Sequence, residues 1–487
     1  MDRKTSEAPR VVAAAKDYTA LTKSELIISF SLVTSLFFLW GLSYGLLDVL
    51  NQHFLSIFHL NKVQTTLLQF AYFVSYLVVA PPMGILMRKV GYKVGIHIGL
   101  GLFSTGAVLF WPSAVYAKYG MFVAFTFVAA SGLATLEVAA NTYIVVLGPP
   151  KHAAYRLTFA QSFNGIATVI GPIIAAHTFF NGANATKLDT VQYVYLSLAV
   201  FALLLNIGLY FCKLPEVAQG VTDEQEEQMR KEGLKGFLKH YHTIFGFVAE
   251  FFYVGAQVAV ASFAVFYLTE QPGIEPPYST AMASNLFSAC QAVFTIGRFI
   301  GVGYLRFIDP AFALFVHGVG LMIFCILTAT IDGRGGIACL FMVFLFESVC
   351  YPVIFSIATS NLGSYAKFGG GLIAMGVSGG AWYPSAQGAV ADAKGTQISY
   401  MIPFTGFVPL MLYGLVMWAI KCRRHNKWSV MVRDLDGSDQ AIIEEDLRKH
   451  SQAAGELGPG PNRETEEEKA DEEFVDLQYA SPIRSSS

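Results

Sequence analysis

A chain of 487 residues that is 54% hydrophobic and only 14% charged has too little polar surface to clothe a soluble fold, so it reads as an integral membrane protein. Its net charge of −2 says little, because the charges sit in loops and tails and their side of the membrane matters more than their sum. The six cysteines show no paired spacing of a metal site, and the better reading is buried thiols, so no metal or other cofactor is expected.

Hydropathy predicts twelve spans, at about residues 27–52, 64–87, 94–114, 121–147, 157–180, 191–212, 243–268, 281–304, 311–331, 336–360, 370–391 and 398–420. Each is long enough to cross a hydrocarbon core of about 30 Å at about 1.5 Å per residue. The first 24 residues are polar and the first apolar run is too long for a signal core, so that run is expected to be a retained span. With the N-terminus inside, the inner segments hold 28 Lys and Arg against 5 in the outer loops, a tally that counts Arg298 as an inner residue. The positive-inside rule then puts both termini in the cytosol. Asn184-Ala185-Thr186, in the loop between spans 5 and 6, matches a glycosylation sequon on the outer side.

The predicted organisation is a cytosolic N-terminal tail (1–26), a six-helix bundle (27–213), a charged cytosolic linker (214–240), a second six-helix bundle (241–421) and a polar, disordered cytosolic tail (422–487). The halves echo each other. Phe37-Phe38-Leu39-Trp40-Gly41 resembles Phe251-Phe252-Tyr253-Val254-Gly255, Glu137 has a counterpart in Glu347, and Gly171-Pro172 one in Tyr383-Pro384. The regular offset of these pairs predicts two parallel six-helix repeats with a site between them.

In span 1, Trp40, Tyr44 and Asp48 recur every four residues and share a helical face. Aromatic rings beside an acid suit a sugar, which stacks its C–H faces on the rings and offers hydroxyls to the carboxylate; interfacial belts use the same residue types. Glu137 lies near the middle of span 4, where a carboxylate costs about 2.5–3.5 kcal/mol, so it is expected to face a cavity or a partner. Asn141 falls one turn on, with Ala130, Gly132 and Ala134 keeping the surroundings thin. Span 5 presents Gln161, Asn164 and Thr168, a polar stripe that serves either a ligand or contacts between helices. The second half offers Tyr253 and Gln257 on span 7 and Glu347 and Tyr351 on span 10. Pro352, Pro384 and the glycines at 376, 379 and 380 predict bends or close packing.

The inner loop after span 2, Gly84-Ile85-Leu86-Met87-Arg88-Lys89-Val90-Gly91-Tyr92-Lys93, resembles the loop signature of the major facilitator superfamily, with Arg88 in the usual aspartate position. Gly84, Arg88, Lys89 and Gly91 are therefore the candidate cytoplasmic gate. Four further segments, Phe37–Leu50, Leu136–Gly148, Arg156–Asn164 and Phe252–Gln257, look like the fucose/proton symporter family within that superfamily. The resemblance covers about Phe37 to Asp392 and departs around Tyr44, where bacterial members carry an asparagine-rich run.

It implies an all-α transporter of twelve transmembrane helices, not an enzyme, that imports a monosaccharide of the fucose, galactose or glucose type with protons by alternating access. By the same resemblance Asp48 and Glu137 serve proton coupling and sugar recognition, and Gln161 and Asn164 line the sugar cavity. The expected partners are the monosaccharide, protons and membrane lipid, with no nucleic acid; a monomer in the plasma membrane is expected. Two alternatives remain open on the residues alone: an uncoupled carrier of sugar or another polar solute, and a transporter-like nutrient sensor signalling through the tail.

Overall fold

In lipid a backbone satisfies its polar groups only by coiling on itself or closing a barrel, and here every long element is helical. The computed structural model describes residues 21–60, 62–178, 188–212, 214–216, 235–360 and 362–432. Asn184, most of the linker and the chain after Val432 lie outside them.

Helix α1 (Lys23–Phe58) starts at a reciprocal cap. The Thr22 N–H donates to Glu25 Oε2 at 2.9 Å, and the Glu25 N–H donates to Thr22 Oγ1 at 3.2 Å. Helix α2 (Lys62–Val108) has 47 residues and would extend about 70 Å at 1.5 Å per residue, twice the thickness of a hydrocarbon core. It is two passes joined at Gly91, whose φ of 86° an L side chain rarely adopts. The short α3 (Phe110–Val115), then α4 (Tyr119–Val146), α5 (Ala153–Thr178) and α6 (Asp189–Phe211) complete the first six spans.

Helix α7 (Tyr241–Thr269) opens the second half, followed by α8 (Thr280–Tyr304) and α9 (Pro310–Thr330). Ser279 caps α8, accepting from the Met282 N–H at 3.2 Å, and Asp309 caps α9, accepting from the Ala311 and Phe312 N–H groups at 2.9 and 3.2 Å. Span 10 is broken into α10 (Gly333–Glu347) and α11 (Cys350–Ala358). Span 11 is α12 (Ala366–Met375), a tight 3₁₀ turn (Gly376–Ala381) and α13 (Tyr383–Lys394). The short α14 (Thr396–Ser399) leads into α15 (Met401–Arg424), the twelfth pass. The breaks fall where Pro352, Pro384 and the glycines of span 11 predict bends.

Twelve passes leave Lys23 and Arg424 at the same end of the bundle, the terminal end. Helix α2 lies along α4, α1 along α5 and α9 along α15. The first six spans meet the last six where α5 packs on α8 and α11, and where α2 packs on α12 and the Gly376–Ala381 turn. Helix α6 turns Val200, Leu203, Leu204 and Ile207 outward, a lipid-facing surface. Helix α4 is buried continuously from Ala129 to Val146. Gly132 admits the α2 backbone at Gly99 and Phe103. All six cysteines are free, and all but Cys212 are buried.

Candidate functional site

Glu137 is 5% exposed at the centre of the bundle. The four-residue spacing on α4 puts Asn141 on the same face, as its sequence predicts. The Tyr351 hydroxyl, from α11, donates to Glu137 Oε1. Asn141 Nδ2 donates to the Tyr351 oxygen at 3.0 Å, and Gln161 Nε2 donates to Asn141 Oδ1 at 3.1 Å. A directed chain thus runs from Gln161 through Asn141 and Tyr351 to the carboxylate, joining α5, α4 and α11.

Arg298 on α8 closes the cluster from the other side. It is 3% exposed; Nε donates to the Ser348 carbonyl at 3.0 Å, and Nη1 donates to the Gln161 carbonyl at 2.6 Å and to Asn164 Oδ1 at 3.1 Å. Its guanidinium also lies 4.6 Å from the centre of the Phe294 ring. Glu137 lies within Coulombic reach of Arg298, yet among the described residues no carboxylate forms an ion pair with it. A guanidinium and a carboxylate held apart by an amide relay can exchange partners when something enters between them.

Beside this cluster lies a partly open cavity lined from both halves of the bundle. Trp40 and Tyr44 of α1 form one wall, their rings stacked with centroids 6.1 Å apart and planes 15° from parallel. The Trp40 indole N–H donates to the Tyr76 hydroxyl at 2.9 Å, which fixes the ring. Asn164 and Thr168 line the cavity from α5, Gln257 from α7, Gln291 and Arg298 from α8, and Glu347 and Tyr351 from span 10. Two of these buried polar atoms, Asn164 Nδ2 and Glu347 Oε1, have no hydrogen-bond partner among the described residues. Aromatic faces with unsatisfied amide and carboxyl groups suit a small polyhydroxylated ligand.

The sequence-derived candidates therefore divide. Trp40, Tyr44, Asn164, Gln257, Glu347 and Tyr351 line the cavity. Glu137, Asn141 and Gln161 stand behind the wall, tied to it through Tyr351. Tyr253 is fully buried and donates to the Glu347 carbonyl at 2.7 Å, so its hydroxyl secures the end of α10 and lies outside the cavity lining. Asp48 belongs to α1, and its side chain lies outside the described residues. Two charged residues were passed over. Arg298 was tallied with the inner loops although it sits inside span 8, and Glu250 is fully buried on α7. The argument that singles out intramembrane acids applies equally to both.

At the terminal end, Gly84 packs against Gly371 and the Lys367 carbonyl of α12, a contact that a Cβ would obstruct. Arg88 is exposed, with its guanidinium 5.8 Å from the Tyr365 ring centre, and Lys89 is exposed. The carboxylate in this region comes from the start of the linker. Glu216 Oε1 accepts the Tyr92 N–H at 2.5 Å beside the Gly91 kink, and Oε2 pairs with Lys367 at 2.9 Å. Lys367 also sits 4.2 Å from the Tyr92 ring centre.

Residues 33–384 match the family model described as Major Facilitator Superfamily. The chain belongs to that superfamily. Within it, the chain is 35% identical over 401 residues to a glucose/galactose transporter of Brucella abortus, covering 81% of this chain and 96% of the relative. It is 31% identical over 422 residues to the L-fucose-proton symporter of Escherichia coli, covering 82% of this chain and 94% of the relative. The crystal structure of the superfamily transporter FucP in the outward conformation superposes with a TM-score of 0.70 at 31% identity, covering 80% of this chain and 99% of the other. This superfamily member thus shares its fold with transporters, and the twelve-pass architecture read from hydropathy is the superfamily fold.

Proposed function

We propose that this protein imports a monosaccharide of the glucose, galactose or fucose type by proton symport. The observation that carries the reading is the hydrogen-bonded path from the buried Glu137 through Tyr351 to the wall of an aromatic-lined cavity. The names of relatives that align over nearly their whole length, a glucose/galactose transporter and an L-fucose-proton symporter, support the same reading.

In this account Trp40 and Tyr44 stack on the sugar, while Asn164, Gln257 and Glu347 bond its hydroxyls. Gln161 and Asn141 hold Tyr351 and Glu137 in register, and Tyr253 fixes the end of α10. Glu137 and Asp48 carry the coupled proton. At lipid depth an acid costs less neutral than charged, so proton binding lowers the energy of closing the loaded cavity. The loaded carrier then rocks the first six spans against the last six and releases both cargoes on the other side.

We further propose that the terminal end faces the cytosol of a plasma-membrane monomer, that residues 27–213 and 241–421 are the rocking units, and that Asn184 is glycosylated outside. The Gly84–Gly91 segment, with Arg88 and Lys89, forms the cytosolic gate. Glu216 takes the place of the carboxylate that this loop lacks, holding Tyr92 and Lys367 together across the halves.

The test is uptake of labelled D-glucose, D-galactose and L-fucose into proteoliposomes with and without an acid-outside pH gradient. Accumulation above the external concentration, only under the gradient, supports symport. Equal uptake without it supports an uncoupled carrier.

A further inference from the structure

Span 7 carries an acid that the proposed mechanism does not use. Glu250 is 0% exposed, and neither carboxyl oxygen has a hydrogen-bond partner among the described residues. It packs on the glycine that opens the 3₁₀ turn of span 11, because a Cβ on Gly376 would lie 2.9 Å from Glu250 Cβ and 3.0 Å from its Cγ. Glu250 lies nine residues from the start of α7, and Glu137 nine residues from the end of α4. The two acids therefore stand at matching depth, about 14 Å from the terminal end at 1.5 Å per residue, one in each half.

The titratable groups within Coulombic reach of Glu250 are Glu137 on α4, Cys350 and Tyr351 on α11, Tyr413 on α15 and Tyr253 on its own helix. The cations on the surrounding elements are committed elsewhere or remote. Arg298 on α8 is bonded to Ser348, Gln161 and Asn164; Lys367 on α12 is paired with Glu216. On α15, Lys421 is paired with Asp309, and Arg423 and Arg424 are exposed at the helix end. An ionised carboxylate with neither cation nor donor is among the costliest groups to bury, whereas a neutral carboxylic acid is tolerated.

We propose that Glu250 is a further proton-carrying residue beside Glu137 and Asp48, giving its proton to water at the terminal end and regaining one from Glu137. The proposal rests on the symport reading above. When spans 7 and 11 part at Gly376 and water reaches Glu250, its O–H bond breaks and the proton goes to water; the O–H bond on Glu137 then breaks and one re-forms on the solvated Glu250 carboxylate. No donor among the described residues lies within hydrogen-bond distance of Glu250, so the proton crosses from Glu137 through the water that has entered. Glu137 is left ionised and free to take the next proton. Glu250 is neutral again before spans 7 and 11 close at Gly376.

Glu250→Gln keeps the shape of the neutral acid and removes the exchangeable proton. In proteoliposomes probed with labelled D-glucose, D-galactose and L-fucose, it is expected to retain counterflow, which exchanges sugar without net proton movement. Gradient-driven accumulation and the sugar-induced proton flux are expected to be lost, and Glu250→Asp to recover part of both. Wild-type accumulation by Glu250→Gln overturns the proposal, as does loss of its counterflow, which marks a merely structural residue. Sugar uptake without proton flux in the wild type instead overturns the symport reading itself, an outcome visible before any variant is made.

Discussion

The Tyr351 hydroxyl donates to Glu137 Oε1 across 214 positions of sequence, so one hydrogen bond ties span 10 of the second half to span 4 of the first. It can act as a latch, because it must break or reform whenever the halves separate at that depth.

Removing that hydroxyl is predicted to impair transport without unfolding the protein. A hydrogen bond to a charged group contributes about 1.5–3 kcal/mol. Tyr351→Phe is therefore expected to lower gradient-driven sugar uptake by about ten- to a hundredfold. Thermal unfolding in detergent, unchanged within a few degrees, checks that the loss is functional.

Arg298 is predicted not to tolerate lysine. The guanidinium reaches the Ser348 carbonyl with Nε and the Gln161 carbonyl and Asn164 Oδ1 with Nη1, a spread that one ammonium cannot reproduce. Each buried acceptor left unmatched costs about 1–3 kcal/mol. Uptake by Arg298→Lys is expected to fall at least about tenfold. Measuring Vmax and KM separately shows whether binding or the coupled cycle fails.

How much of this was legible in the sequence depends on the range of the interaction. Periodicity places Asn141 beside Glu137 and Tyr44 beside Trp40, because residues four apart share a helical face. Hydropathy places the spans, and the glycines and prolines of spans 10 and 11 mark real breaks. The contact between Arg298 and Gln161 spans 137 positions, and no local pattern reveals it. Arg298 lies close to the end of span 8, where a lone cation reads as part of the inner loop. Glu250 sits one residue before the aromatic word at Phe251, and its counterpart before Phe37 is Leu36, so the echo between the halves does not mark the acid.

The ion pair at the terminal end is predicted to bias the carrier toward closure there. Lys367 and Glu216 are partly buried, with side chains 16% and 13% exposed. Losing such a pair is worth about 1 kcal/mol, or roughly a fivefold shift in the open population. Glu216→Gln is expected to speed maleimide labelling of a thiol introduced as Thr142→Cys, which lies against Gly370 at this end. Exchanging the charges, with Glu216→Lys and Lys367→Glu together, is expected to restore slow labelling.

Close approach of spans 1 and 5 depends on Gly41. A Cβ there would collide with the Asn164 carbonyl oxygen and lie 2.9 Å from its carbon. Gly41→Val is expected to cost about 1–3 kcal/mol by overpacking and to displace Asn164 from the cavity wall. Gly101→Ala, with nothing within 4 Å of the added carbon, is the control expected to leave the melting temperature unchanged.

The central claim is that sugar and proton cross together by way of Glu137. The most direct measurement is the pH inside proteoliposomes loaded with a pH-sensitive dye when D-glucose, D-galactose or L-fucose is added outside. Acidification of the lumen by at least one sugar, absent in Glu137→Gln, is predicted. Sugar entry with no pH change in the wild type, or an equal pH change in Glu137→Gln, would contradict the account.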